Sequence, residues 1–487
     1  MRLIERLEKS RSFWFLLILS VIFFMLRLPS LFEPYWYGDE GIYQAIGMVL
    51  RDGGTIYKDA FDNKPPLLYV IYAIFNSEQY LIRALSLVFG LLSVWVFFRL
   101  SKELFQKRKD WVIYFITGGF AILFGLPLIE GNIANAENFM LLPIISSAVL
   151  VLVSLRHTSE DRRNITLFLA GGAIGLAFLI KIVAIFDLAA FFVFLAVINF
   201  KKFGEFKFKR IYFLLVGFSL PVFITSFYFL ITSNFRNFMN ASLFSNISYV
   251  GKDNSIFFTQ DLLIAKAILL LFFAYVILKK IKLLSTTSIF VLVWLGFCLF
   301  NAFFSQRPYI HYLLVILPSF CLFVGLMIRE KKLQKILTVS FVFLLVFLLS
   351  SFPLYYKTIA YYFNFIDFLK GGKSSIQYIS FFDKRAVTDY KIANYINSKT
   401  GEEDSIYLWG NNAQVYKMTG KIPPHRYTVL YHVTSYKDGF PLTISSLNSK
   451  KPKFIVIMQD KDLLPISLYD YRLTMEIENA QIYERVN

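Results

Sequence analysis

Two carboxylates stand side by side in this sequence, Asp39-Glu40, and Tyr43 lies one helical turn beyond the first of them. Further on comes Asp59-Ala60-Phe61-Asp62-Asn63-Lys64-Pro65-Pro66. A carboxylate can take the proton of an incoming hydroxyl, and a lysine can hold a phosphate as a point charge. The stretch 33–64 carries Glu33, Asp39, Glu40, Asp52, Asp59 and Asp62 against Arg51, Lys58 and Lys64, a net charge of −3. A merely solvated acidic loop could share that composition. Tyr35, Trp36 and Tyr37 argue for a loop held at a membrane surface, where amphipathic rings settle. On the chemistry alone both readings stay open.

The elements that must position these residues follow from composition. Of 487 residues, 56% are hydrophobic, 18% aromatic and 17% charged, with 55 Phe; mean hydropathy is +0.55. Soluble domains run to about a quarter charged, because they need a polar shell. The composition excludes disordered, collagen-like and disulfide-framework classes and a one-domain soluble enzyme. It implies a polytopic α-helical membrane protein.

The net charge of +18 is topological. Strips 1–11, 99–110, 156–163, 201–210, 279–282 and 329–335 hold 24 Lys and Arg against 8 Asp and Glu. They alternate with apolar runs, as cytoplasmic loops do under the positive-inside rule; nucleic acid is not a partner. A helical span needs roughly 17–25 apolar residues. The runs 12–32, 80–98, 111–126, 139–155, 165–199 (split in two near Lys181), 211–232, 262–278, 286–304, 309–327 and 334–352 predict eleven spans. The first is read as an uncleaved helix, with the N-terminus cytoplasmic. The run 65–75 is too short to cross and is expected to lie along the surface, making 33–79 one long outer loop. Cys298 and Cys321 fall in apolar runs and read as small core residues. Residues 1–355 form the membrane domain, 356–375 a linker and 376–487 a small extracytoplasmic α/β domain. In the last, Ser405–Trp409 and Phe454–Met458 read as buried strands and 387–399 as a helix. No dinucleotide-type glycine spacing follows Gly410.

The strings Asp39-Glu40-(x)2-Tyr43 and Asn63-Lys64-Pro65-Pro66-Leu67 resemble the first outer loop of GT-C glycosyltransferases of the protein O-mannosyltransferase and lipid A aminoarabinose transferase type. The likeness extends to Asn135-Ala136-Glu137-Asn138, to Gly175–Lys181 and to Arg307-Pro308-Tyr309-Ile310-His311-Tyr312. It covers about residues 12–350, and every one of these positions is outer in the topology drawn from charge. The resemblance implies a membrane enzyme of the cell (inner) membrane that passes a sugar, with inversion, from a polyprenyl-phosphate donor to a lipid, glycan or protein acceptor. By the same resemblance Asp39 is the general base. Glu40 and Glu137 orient the acceptor or hold a divalent ion, Asp39 and Glu137 being the candidate metal ligands. Lys64, Lys181 and Arg307 stabilise the leaving phosphate, and Tyr43, Asn63, His311 and Tyr312 contact substrate. No zinc-type His/Cys spacing is present. Ile42 stands where aminoarabinose transferases usually carry an arginine, and Asn63 where an acidic residue commonly precedes Lys-Pro-Pro. Sugar and acceptor therefore do not follow from the resemblance.

Other roles exist for some of these residues. Lys181 could snorkel to the interface, His311 could be a satisfied helix-end histidine, and Tyr312 could belong to an aromatic belt. Asp187 could pair with another helix. A transporter or lipid-linked sugar flippase is the rival class, but such proteins concentrate polar groups at the midplane and show paired halves. A scaffold has no use for Asp39, Lys64 and Glu137. An oligosaccharyltransferase is disfavoured because no Trp-Trp-Asp-Tyr-Gly segment is present.

Overall fold

The computed structural model describes residues 10–105, 110–203, 209–246, 271, 275, 279, 284–304, 309–330, 334–352, 354 and 357–486. The chain divides into two compact units, one of Met1–Leu28, Leu85–Ile231 and Phe244–Thr358 and the other of Pro29–Ala84, Thr232–Leu243 and Ile359–Asn487.

The first unit is helical. Ten of the eleven expected apolar segments are helices, and 262–278 lies almost wholly outside the described residues. Among the described residues eight helices are long and apolar enough to cross a membrane. Trp111–Gly125 and Leu337–Ser350 are shorter apolar helices. The run 165–199 does break in two. Glu160–Ile180 ends at Lys181, whose backbone is extended (φ −152°, ψ 126°), and a short 3-10 turn leads into Ile185–Phe203. Backbone contact sets one helix pairing. A Cβ at Gly171 would lie 2.0 Å from the Leu214 carbonyl oxygen, and one at Gly217 1.9 Å from that of Phe168. With no lipid-excluding drive between helices, such close approach supplies their packing energy. Cys298 and Cys321 are buried and free.

The second unit gathers three stretches of chain around a four-stranded sheet of order β1-β2-β4-β3. β1 (Ile406–Trp409) runs parallel to β2 (Phe454–Ile457), and β4 (Ala480–Arg485) pairs antiparallel with both β2 and β3 (Tyr471–Ile477). Every residue of β1 and β2 is buried, which explains their unbroken apolar runs. The helix Lys384–Asn397 occupies the expected 387–399 stretch. Leu67–Ile74 forms a helix of 8 residues, well short of a span. Thr358–Leu369 is also helical.

Candidate active site

Asp39 stands in the first turn of the helix Gly38–Arg51, where the helix dipole favours a carboxylate. The Tyr43 hydroxyl, one turn on, donates to Asp39 Oδ2 at 3.1 Å. Lys64 Nζ lies 3.9 Å from the same oxygen and 4.9 Å from the centre of the Tyr43 ring. The Asp39 side chain keeps 36% exposure, so solvent or a ligand reaches it, while Lys64 keeps only 16%.

The loop that delivers Lys64 is over-determined. Tyr57 takes a left-handed conformation (φ 68°), uncommon for a bulky residue, and its hydroxyl donates to the Lys64 carbonyl at 2.7 Å. The Lys64 backbone N–H donates to the Tyr69 hydroxyl at 3.3 Å, which donates to Asp62 Oδ2 at 2.7 Å. Lys64 Nζ is 3.3 Å from that oxygen. Burial would raise the Asp62 carboxyl, but Lys64, His432 and the Tyr69 hydroxyl outweigh it and hold the group below its usual range. Burial also pushes the His432 imidazole down to about 4. With His432 uncharged at neutral pH, Lys64 and Tyr69 carry that effect. Asn63 donates its backbone N–H to Asp62 Oδ1 at 2.8 Å. The Phe61 N–H donates to the Arg426 carbonyl at 2.8 Å, and the Phe61 ring meets Tyr427, His432 and Tyr436.

Glu40 faces the other way. Its carboxylate accepts from Arg83 Nε at 3.1 Å and Nη2 at 2.6 Å, and Arg83 Nη1 lies 2.8 Å from Glu33 Oε2. Glu33 also accepts from Trp36 Nε1 at 2.8 Å and from the Tyr361 hydroxyl at 2.7 Å. Arg83 and Glu33 are fully buried and Glu40 is 2% exposed. This network fixes the entry of the helix that carries Asp39. A Cβ on Gly41 would meet the Gln414 backbone nitrogen at 2.6 Å, so glycine lets that helix lie directly against the turn at Gln414.

The first unit holds a second constellation. Glu137, in the first turn of Ala136–Ser154, bonds Lys181 Nζ through Oε1. His311 Nε2 is 3.8 Å from that oxygen, while His311 Nδ1 lies 2.9 Å from Glu130 Oε2. Lys181 Nζ sits 4.7 Å from the centre of the Tyr312 ring. The extended kink at Lys181 aims the side chain at this set instead of along a helix face. Glu137 is 2% and Lys181 13% exposed.

The sequence of residues 64–229 matches the family described as dolichyl-phosphate-mannose-protein mannosyltransferase. No curated protein matches the chain. Among solved structures, the chain is similar to ArnT from Cupriavidus metallidurans bound to undecaprenyl phosphate. Identity is 13% and the TM-score 0.59, over 97% of this chain and 98% of that one. The chain has the GT-C fold. Structures of the archaeal oligosaccharyltransferase AglB from Archaeoglobus fulgidus, in complex with an inhibitory peptide and a dolichol-phosphate and in the apo form, match at 14% identity and a TM-score of 0.49. They cover 92% of this chain and 69% of theirs.

On this GT-C fold, Asp39, Tyr43 and Lys64 come together in one unit and Glu137, Lys181, His311 and Tyr312 in the other. Arg307 lies outside the described residues. Among the described residues no three His, Cys, Asp or Glu side chains converge as a metal site. Sequence reasoning missed Arg83, Glu130 and the Tyr57 and Tyr69 hydroxyls. Arg83 had a signal, since an arginine at the head of an apolar run must find partners. Glu130 had none beyond its loop.

Proposed function

We propose that the chain is an integral membrane glycosyltransferase that moves a sugar from a polyprenyl-phosphate carrier to a hydroxyl-bearing acceptor on the outer face of the cell membrane. The observation that carries this reading is the reachable Asp39 carboxylate, oriented by Tyr43 and Lys64, on a GT-C fold. The acceptor oxygen attacks the anomeric carbon from the face opposite the phosphate, and configuration inverts. The carbon–oxygen bond to the phosphate breaks, Asp39 receives the hydroxyl proton and later returns it to water. Polyprenyl phosphate leaves as an anion, so the step calls for cations near the departing oxygen and no general acid. Lys64, 3.9 Å from Asp39 Oδ2, is the group for that role. Glu40 serves by anchoring the Asp39 helix through Arg83. The buried Glu137–Lys181–His311 set suits donor recognition more than proton transfer, since its carboxylate is already committed.

The test is consumption of labelled polyprenyl-phosphate sugars by membranes holding wild type or Asp39→Asn at equal levels, with native envelope as acceptor source. One donor should be consumed by wild type and spared by the variant, the rate falling about 10²–10⁴-fold, the usual contribution of a general base. Unchanged consumption in the variant sinks the site. Transfer of labelled lipid between leaflets without sugar transfer would favour a flippase.

A further inference from the structure

Asp39 lines a cleft of about 260 Å³ whose other residues come largely from the C-terminal stretch. Trp36 and Tyr431 supply aromatic surface there, and Asn411, Asn412 and Gln459 supply carboxamides. Aromatic faces beside planar amide groups suit a ring that presents C–H bonds on its faces and hydroxyls at its edge. The groups are held in place beforehand. Asn411 Nδ2 donates to Gln459 Oε1 at 2.9 Å, and Asn411 Oδ1 accepts the Tyr431 N–H at 3.0 Å. Trp36 is pinned through its indole N–H to Glu33.

The charge in the cleft narrows the ligand. Its charged side chains are Asp39, Asp383, Asp389 and Arg385. Arg385 is spent on Asp383, with Nη2–Oδ2 at 2.8 Å and Nε–Oδ2 at 3.1 Å. Asp389, 1% exposed, receives neutral donors: Asn412 Nδ2 at 2.8 and 2.9 Å and Gln414 Nε2 at 2.7 Å. Among the lining side chains Asp39 and Asp383 outnumber the one cation, Arg385, so the lining disfavours an anionic ligand.

We propose that this cleft is the subsite for an uncharged sugar unit of the acceptor, set beside Asp39 by the C-terminal stretch. The proposal rests on the transferase reading and names its acceptor class. The cleft disfavours phosphorylated and acidic sugars by charge, and hands a hydroxyl to the carboxylate at its edge.

The experiment uses the purified full-length chain in detergent. Binding of neutral mono- and disaccharides and of their 6-phosphates is measured by saturation-transfer NMR, on wild type and on Asn411→Ala and Gln459→Ala. Binding of undecaprenyl phosphate is measured on the same samples, and melting temperature controls for folding. At least one neutral sugar should bind, its 6-phosphate should not, and each variant should bind it at least about tenfold more weakly, the equivalent of one lost hydrogen bond. Undecaprenyl phosphate should bind all three proteins alike. The proposal is overturned if no neutral sugar binds, if the phosphates bind more tightly, or if folded variants bind like wild type. Failure of undecaprenyl phosphate to bind even wild type would instead sink the transferase reading, whatever the sugars do.

Discussion

Arg83→Met is the sharpest probe of what orients the Asp39 helix. Arg83 is fully buried and binds two carboxylates, Glu33 at 2.8 Å and Glu40 at 2.6 Å, neither more than 2% exposed. Methionine roughly fills the aliphatic volume but leaves both acids without their cation. Breaking a buried pair by removing one partner costs about 3–5 kcal/mol. A body of 150–250 residues loses about 2–4 °C of melting temperature per kcal/mol, so the drop should be on the order of 10 °C. The assay is thermal unfolding in detergent, followed by intrinsic tryptophan fluorescence, to which Trp36, whose indole bonds Glu33, contributes. Adding Glu33→Gln and Glu40→Gln to the same chain removes the stranded charges and should restore most of the loss. A single variant that melts within 2 °C of wild type, or a triple variant no better than the single, would refute the reasoning. Recovery of stability and of transfer together in the triple variant would assign Glu40 to anchoring, since a catalytic carboxylate could not be replaced by an amide.

Lys181→Met strands Glu137, which is 2% exposed, and should cost about 3–5 kcal/mol; adding Glu137→Gln should restore melting temperature but leave undecaprenyl phosphate binding impaired. Gly41→Ala drives a Cβ to 2.6 Å from a backbone nitrogen that cannot swing aside, an overpacking cost of about 1–3 kcal/mol. Limited proteolysis should then cut the C-terminal stretch faster. His432 is held neutral by burial, its value pushed from 6.5 down to about 4, so its contribution to stability is lost as pH falls from 6.5 towards 4. His432→Phe keeps the ring packed against Phe61 and should reduce that acid lability by up to about 3 kcal/mol. Asp389 has the opposite sign: burial raises it from 3.8 to about 7, so its ionisation destabilises the fold as pH rises through that window. Asp389→Asn should flatten the melting-temperature profile between pH 4 and 7.

The spans were legible because membrane helices announce themselves by apolar length and by basic strips, both one-dimensional properties. The break at Lys181 was legible for the same reason, a lysine interrupting a run too long for one span and too short for two full ones. β1 and β2 were readable as buried apolar runs; β3, largely exposed along its length, carried no such pattern. Of the candidate residues, Asp39, Tyr43 and Lys64 stood out as an acidic pair and a Lys-Pro-Pro string in one short loop, but that chemistry left a solvated loop open as well, and only the resemblance to GT-C glycosyltransferases gave them roles. What sequence could not give was commitment. Nothing in Asp39-Glu40 says that the second carboxylate turns inward to Arg83 while the first stays open. That choice depends on helix phase: the pair is adjacent, so the two side chains point about 100° apart. The cleft partners Asn411, Asn412 and Gln459 were invisible because each is an ordinary polar residue until the fold gathers them.

The second unit is assembled from three stretches that the ribosome delivers far apart in time. Its first stretch, Pro29–Ala84, is complete long before β4 exists. At synthesis rates of about 5–20 residues per second, the Asp39 helix waits on the order of tens of seconds for the turn at Gln414 that it packs against. During that interval the Gly41 face is uncovered. A chain broken off before residue 414 never acquires its covering, so premature termination removes the support of the Asp39 helix and not merely an appendage. Quality control that samples nascent chains would meet this exposed face on every molecule made.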